Sequence, residues 1–79
     1  MDFLFQSKKI LSKCLFVPVE SIHHNSTLEE LKPGMDSITF VSIMAEVEFF
    51  TEKKVPVAEW LELETTSDLA KILENNYKN

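Results

Sequence analysis

The chain has 79 residues, 44% hydrophobic and 27% charged, with 13 acids against 8 bases and a net charge of −5. That describes one small soluble domain spanning residues 1–79, with too little chain to wall a substrate pocket off from water. The acidity argues against nucleic acid as a partner, the single glycine against a Gly-rich phosphate loop, and the lone Cys14 excludes an internal disulfide.

A reducing, cytoplasmic setting is the default for such cysteine usage, and monomer is the default state. The opening MDFLFQSKKILSK has an acid at its second position and no uninterrupted apolar core, so it does not read as a signal peptide. No apolar run is long enough to span a membrane. A start at Met1 and the polar end NNYKN, expected to fray, suit a discrete protein.

About Asp2 to Phe16 reads as the first helix. Asp2 can cap it, and Phe3, Leu4, Ile10, Leu11, Cys14 and Leu15 return at helical spacing. Pro18 closes it. From Val19 to Met35 the chain is irregular, with apolar anchors at Val19, Ile22, Leu28 and Leu31. Ser26 or Thr27, followed by Glu29 and Glu30, can start one helical turn there, which Pro33-Gly34 stops. A connection this long is expected to pack across the helices as a strap.

The second long helix begins at Asp36 or Ser37 and ends near Thr51. Ile38, Val41, Ile43, Met44, Val47 and Phe50 form a broad apolar stripe. After the break at Val55-Pro56, a short turn of helix is expected around Ala58 to Leu63. Thr65, Thr66 or Ser67 can cap the last helix, with Asp68 in its first turn and Leu69, Ile72, Leu73 and Tyr77 on its apolar face. The fold class is all-α: a small bundle of three longer helices and one short helix, with a long loop between the first and second.

Few residues here can do chemistry. A nucleophilic Ser37 would need a positioned histidine and an orienting acid; the only histidines are His23 and His24, in the loop. Adjacent histidines without further ligands are a weak metal signal and read as solvated loop residues. Cys14 lies on an apolar helix face and reads as a small hydrophobe. Trp60 reads as core. Ser37 itself is either a helix cap or an attachment point.

The stretch GMDSI, residues 34–38, resembles the modification motif of acyl and peptidyl carrier proteins, Gly-x-Asp-Ser-Leu/Ile. Elsewhere, ILSKCLFVPVESI resembles that family's first helix and loop entry, and STLEEL its inward-packing loop segment. Val41, Ile43, Met44 and Val47 fall where its second helix carries core aliphatics; Val55-Pro56 and TTSDLAKILEN also have counterparts. The resemblance covers about Ile10 to Asn76.

It implies a bundle of the acyl-carrier-protein type and no catalysis. Ser37 would receive a covalent 4′-phosphopantetheine arm from a phosphopantetheinyl transferase, using coenzyme A and magnesium. Asp36 would serve transferase recognition. The arm's thiol would hold an acyl or aminoacyl group as a thioester for a loading enzyme and for downstream synthase, transferase and tailoring enzymes. Fatty-acid carriers have a strongly acidic second helix, whereas here no acid follows Ser37 until Glu46. Recognition through apolar residues, at Met35, Ile38, Phe40 and Met44, is therefore expected. That favours polyketide, nonribosomal peptide (antibiotic-type) or another dedicated pathway over bulk fatty acid synthesis. Cargo is expected to be exposed or held shallowly, near Val47, Trp60 and Leu61. The alternative is a cofactor-free helical docking module, in which Ser37 is only a cap; a small hydrolase is a third reading.

Overall fold

The computed structural model describes residues 2–77, and among these it is all-helical. Helix α1 runs Phe3–Leu15, α2 Leu28–Leu31, α3 Ser37–Thr51, α4 Val57–Leu61 and α5 Thr66–Asn76, with a single 3-10 turn at Val19–Ser21. Three longer helices and a short one match the expected bundle. The strap adds the one-turn helix α2. The expected fraying of NNYKN does not hold for its first three residues: Asn75 and Asn76 belong to α5, where the Asn76 side-chain amide donates to the Ile72 carbonyl and the Glu59 carboxylate, and Tyr77 packs on Phe3 and Phe50. Lys78 and Asn79 lie outside the described residues.

Local chemistry explains where the helices start. Asp2 accepts a hydrogen bond from the Phe5 amide at 3.0 Å and caps α1. Thr27, not Ser26, caps α2 in a reciprocal box with Glu30, at 3.0 and 2.9 Å. Thr65 and Asp68 form the same box at the start of α5. Helix α4 begins one residue before the expected position and ends two before, because Pro56 supplies the extended entry and Glu62 already leaves the helix.

The strap is held by its backbone as well as its side chains. The carbonyl of Ser26 accepts from the Thr66 amide at 3.0 Å, and that of His24 accepts from the Ser67 amide at 2.9 Å. The Ser67 hydroxyl donates to the same His24 carbonyl at 2.8 Å. The Leu28 amide donates to the Glu64 carbonyl at 3.0 Å, beside an isolated antiparallel bridge between Thr27 and Thr65. Helix α5 thus finds acceptors for two of its first-turn amides in the loop, which would otherwise be left to water.

Burial does the rest. Leu11 and Leu15 from α1, Ile43 and Val47 from α3, and Leu69, Ile72 and Leu73 from α5 make one core with Ile22, Leu28, Val55 and Trp60. Helix α1 packs most extensively on α5 and next on α3. Tyr77 closes one end, its ring 5.6 Å from Phe3 and 5.3 Å from Phe50. Val19 and Leu31 are half-buried anchors, and Cys14 is half-buried, where desolvation raises its thiol above the ordinary range.

The expected apolar stripe of α3 is only partly buried. Ile38 and Val41 are not core: they are 75% and 59% exposed. Residues two apart on a helix lie about 200° apart around the axis, so Val41 and Ile43 cannot both face inward. Ile43 is the buried one.

Candidate functional site

The approach to α3 is built from Pro33, Gly34 and Met35. Gly34 has a left-handed φ of 71°, which a residue with a Cβ adopts only under strain. Its amide donates to the Glu29 carboxylate of α2 at 3.1 Å, so the strap fixes the turn that precedes the helix. Met35 is half-buried against the core.

Asp36 is the N-cap of α3. Its backbone is extended, and its carboxylate accepts from the Thr39 amide at 2.9 Å. That bond holds the carboxyl below the usual aspartate range. Ser37 is the first residue of the helix proper and is exposed. Of the two residues able to cap α3, Asp36 does so, and the Ser37 hydroxyl has no hydrogen-bond partner among the described residues. With Thr39 satisfied by the cap, and Phe40 bonded to the Asp36 carbonyl at 3.2 Å, the amides of Ser37 and Ile38 remain turned out of the helix end. The result is a primary hydroxyl at the positive end of a 15-residue helix.

The site has the parts of an acceptor and lacks those of a catalyst. The Asp36 carboxylate is engaged as a cap and acidified, so it is a poor base. The backbone of His23 and His24 is tied into the strap and the start of α5. Among the described residues, no group of three or more His, Cys, Asp or Glu side chains could hold a metal ion.

The charged neighbours of this hydroxyl, Asp36 and Lys32, lie on the approach to the helix, whereas the outer side of α3 beyond it is uncharged. Ile38 is 75% exposed and, with Val41, Ser42 and Ala45, makes an uncharged outer strip on α3. Ser42 returns its hydroxyl to the Ile38 carbonyl at 3.2 Å. Val57 and Leu61 are exposed on α4. Of the four apolar residues expected at a recognition face, Ile38 points to solvent, while Met35, Phe40 and Met44 are half-buried against the core. Val41, Val57 and Leu61 were not singled out as surface residues. Val41 stands one turn from both Ser37 and Ile38, and Val57 and Leu61 are an i, i+4 apolar pair, so helical spacing alone could have found them.

The expected resting place for cargo is filled. Val47 and Trp60 are packed into the core, with the Phe40 ring edge-on to Trp60 at 6.0 Å, and Leu61 points outward. Open space near Ser37 lies instead in a groove of about 490 Å³ lined by Thr27, Leu28, Met35, Phe40, Leu63 and Thr65, with Glu29 and Glu64 at its edges.

Comparison with known proteins agrees with this geometry. Residues 8–73 match the family described as "Phosphopantetheine attachment site". The chain is also 36% identical over 73 residues to the non-reducing polyketide synthase Preu3 of Preussia isomera, an alignment that covers 92% of this chain and 3% of that protein. The chain therefore spans only a small part of that relative's length. Among the described residues no helix is long and apolar enough to cross a membrane. With its helical bundle and this match over most of its length, the chain belongs to the phosphopantetheine attachment family, whose domains are not catalysts but carriers bearing a covalent 4′-phosphopantetheine.

Proposed function

We propose that Ser37 is the residue that bears the arm, and that the chain carries acyl or aminoacyl intermediates of a dedicated biosynthetic pathway, of polyketide or nonribosomal peptide type. The observation that carries this is the division of labour at the start of α3. Asp36 caps the helix, which leaves the Ser37 hydroxyl exposed and uncommitted.

The residues fit the group. A phosphodiester on the Ser37 oxygen would sit against the outward amides of Ser37 and Ile38 and the positive end of α3, both favourable to an anion. When bound, the arm supplies a terminal thiol on which cargo rides as a thioester. The chain's own residues do the positioning. Gly34 and Glu29 fix the turn, Asp36 fixes the helix start, and the helix fixes the direction of the oxygen. In loading, the Ser37 oxygen would bond to the coenzyme A phosphorus that becomes the diester. The pyrophosphate bond would break, releasing adenosine 3′,5′-bisphosphate, and the hydroxyl proton would leave to a base of the transferase, since no base among the described residues bonds the Ser37 hydroxyl.

The partners follow from the surface. A phosphopantetheinyl transferase, a loading enzyme and synthase or tailoring enzymes must each approach Ser37. The uncharged strip of Ile38, Val41, Ser42 and Ala45 favours apolar docking over the acid-to-base pairing that ionic strength weakens. The similarity to a polyketide synthase supports that pathway class. The same strip would suit a cofactor-free docking module, but that reading needs Ser37 as the cap, a role Asp36 fills.

The test is an intact mass before and after incubation with coenzyme A, magnesium and a broad-specificity phosphopantetheinyl transferase, followed by localisation of the adduct by peptide fragmentation. One phosphopantetheine on the peptide holding Ser37 is expected. No gain with several transferases, or an adduct elsewhere, would overturn the assignment.

A further inference from the structure

The end of α3 remote from Ser37 carries a second surface. Twelve residues separate Ser37 from Phe49, or ~18 Å of helix. Phe49 is 84% exposed. It lies on a groove of about 660 Å³ between α1 and α3, in which Ile10 and Phe50 also take part. Phe5 is exposed on α1 beside it, under the Lys9 ammonium at 5.6 Å.

The charges on this face are sorted by helix. Lys9 and Lys13 line it from α1, Glu46 and Glu48 from α3, and Glu52 from the C-cap of α3. Lys13 and Glu46 pair with each other at 2.9 Å, and Glu48 accepts from the Val55 amide at 3.1 Å. Lys9 and Glu52 have no ion-pair partner among the described residues. The face thus has a basic side, an acidic side, a protruding aromatic ring and a hollow.

We propose that this face is the contact between two copies of the chain. A two-fold contact needs a surface complementary to itself, with knob and hollow and both signs of charge on the same patch; a foreign partner requires none of these. The charge pattern also selects the axis. A two-fold axis lying across the helices would set α1 on α1 and lysine on lysine. An axis parallel to them sets α1 of one copy over α3 of the other. Helices α1 and α3 run antiparallel here, since Lys13 pairs with Glu46 while Gln6 and Lys9 share the groove with Phe50 and Glu52. Lys9 lies four residues back from Lys13, level with residue 50 of α3 (46 + 4), between Glu48 and Glu52. In the dimer, Lys9 of each copy therefore meets Glu52 of the other, and Phe49 of each lies over Gln6, Lys9 and Ile10 of the other.

Monomer is the sequence-based default, and the contact is small enough for monomer to dominate in dilute solution. The whole molecule measures 32 × 25 × 18 Å, and the face takes up only part of one side. Areas well below about 800 Å² per partner give weak, transient association, here with a dissociation constant on the order of 100 µM. Ser37 lies at the other end of α3 and stays open in the dimer. The inference does not rest on the carrier reading.

Sedimentation equilibrium from about 10 µM to about 1 mM reads the prediction directly. The average mass should rise towards that of a dimer. Phe49→Asp, at an exposed position that the fold does not need, should stay monomeric throughout while keeping its helical circular dichroism. Lys9→Glu should weaken association about tenfold or more, and Lys9→Glu with Glu52→Lys should restore it. A wild-type chain that remains monomeric at the top concentration overturns the proposal, as does a dimer that survives Phe49→Asp or a charge swap that fails to rescue. Phosphopantetheine loading of Phe49→Asp at the wild-type rate would support a contact away from Ser37; impaired loading would overturn that placement.

Discussion

Replacing Ser37 with alanine should separate attachment from folding. Serine is the first residue of α3, its hydroxyl bonds to nothing among the described residues, and the capping bond at 2.9 Å comes from Asp36. The substitution therefore removes no intramolecular bond. Alanine is the better helix former, by roughly half a kcal/mol in a helix interior and less in the first turn. The net change should lie within about 0.5 kcal/mol, with the sign towards stabilisation. In a domain of this size about 1 kcal/mol moves the melting temperature by roughly 4–8 °C, so the shift should stay under about 4 °C. Had serine been the cap, alanine would cost about 1 kcal/mol and lower the melting temperature by the full interval. Thermal unfolding followed by circular dichroism, beside intact-mass assays of both proteins, decides the matter. Wild-type stability with complete loss of loading is the expected pair of results. A drop of more than about 4 °C would show that the hydroxyl supports the helix. An alanine variant that still gains a phosphopantetheine would remove Ser37 from the mechanism.

Other perturbations probe the scaffold. Thr65→Ala removes the acceptor of the Asp68 amide and half of a capping box, and should cost about 1 kcal/mol in urea unfolding. Trp60 is 5% exposed and its indole nitrogen has no partner among the described residues. Trp60→Ala should thus cost about 3–5 kcal/mol, while Trp60→Phe keeps most of the ring, loses no hydrogen bond, and should cost under about 1.5 kcal/mol. Calorimetry of the two variants would show a failure as equal losses. The pH dependence has a definite sign. The Asp36 carboxyl is held below its ordinary range by the Thr39 amide, so below an ordinary aspartate pKa of about 3.9 the unfolded chain binds the proton first. Its contribution is fully present above that value and is lost as pH falls through the lower folded pKa. Urea midpoints measured downward from neutral pH should show this loss in the wild type and a flatter response in Asp36→Asn; parallel curves would contradict it.

Much of this molecule is legible from neighbours in sequence, because helix starts are local chemistry. Asp2 and Phe5, Thr27 and Glu30, and Thr65 and Asp68 are each three residues apart, and their spacing announces α1, α2 and α5 without reference to the rest of the chain. The run from Gly34 to Ile38 likewise identifies a serine at a helix entrance, and acidity with small size argues against nucleic acid and an enclosed pocket.

The orientation of α3 was another matter. Ile38, Val41 and Phe49 are as apolar as Ile43 and Val47, so periodicity gives this helix no preferred side. Only the packing of α1 and α5 decides that Ile43 and Val47 go inward and that Ile38, Val41 and Phe49 remain at the surface. The same holds for the strap, whose carbonyls at His24 and Ser26 meet the amides of α5 some forty residues away. It holds too for Trp60, which with Phe40 fills the space where cargo was expected. Side-chain type and short spacing determine which segments become helices and where they begin. Which face of a uniformly apolar helix meets water depends on the neighbours that cover it, and those neighbours are assembled only in three dimensions.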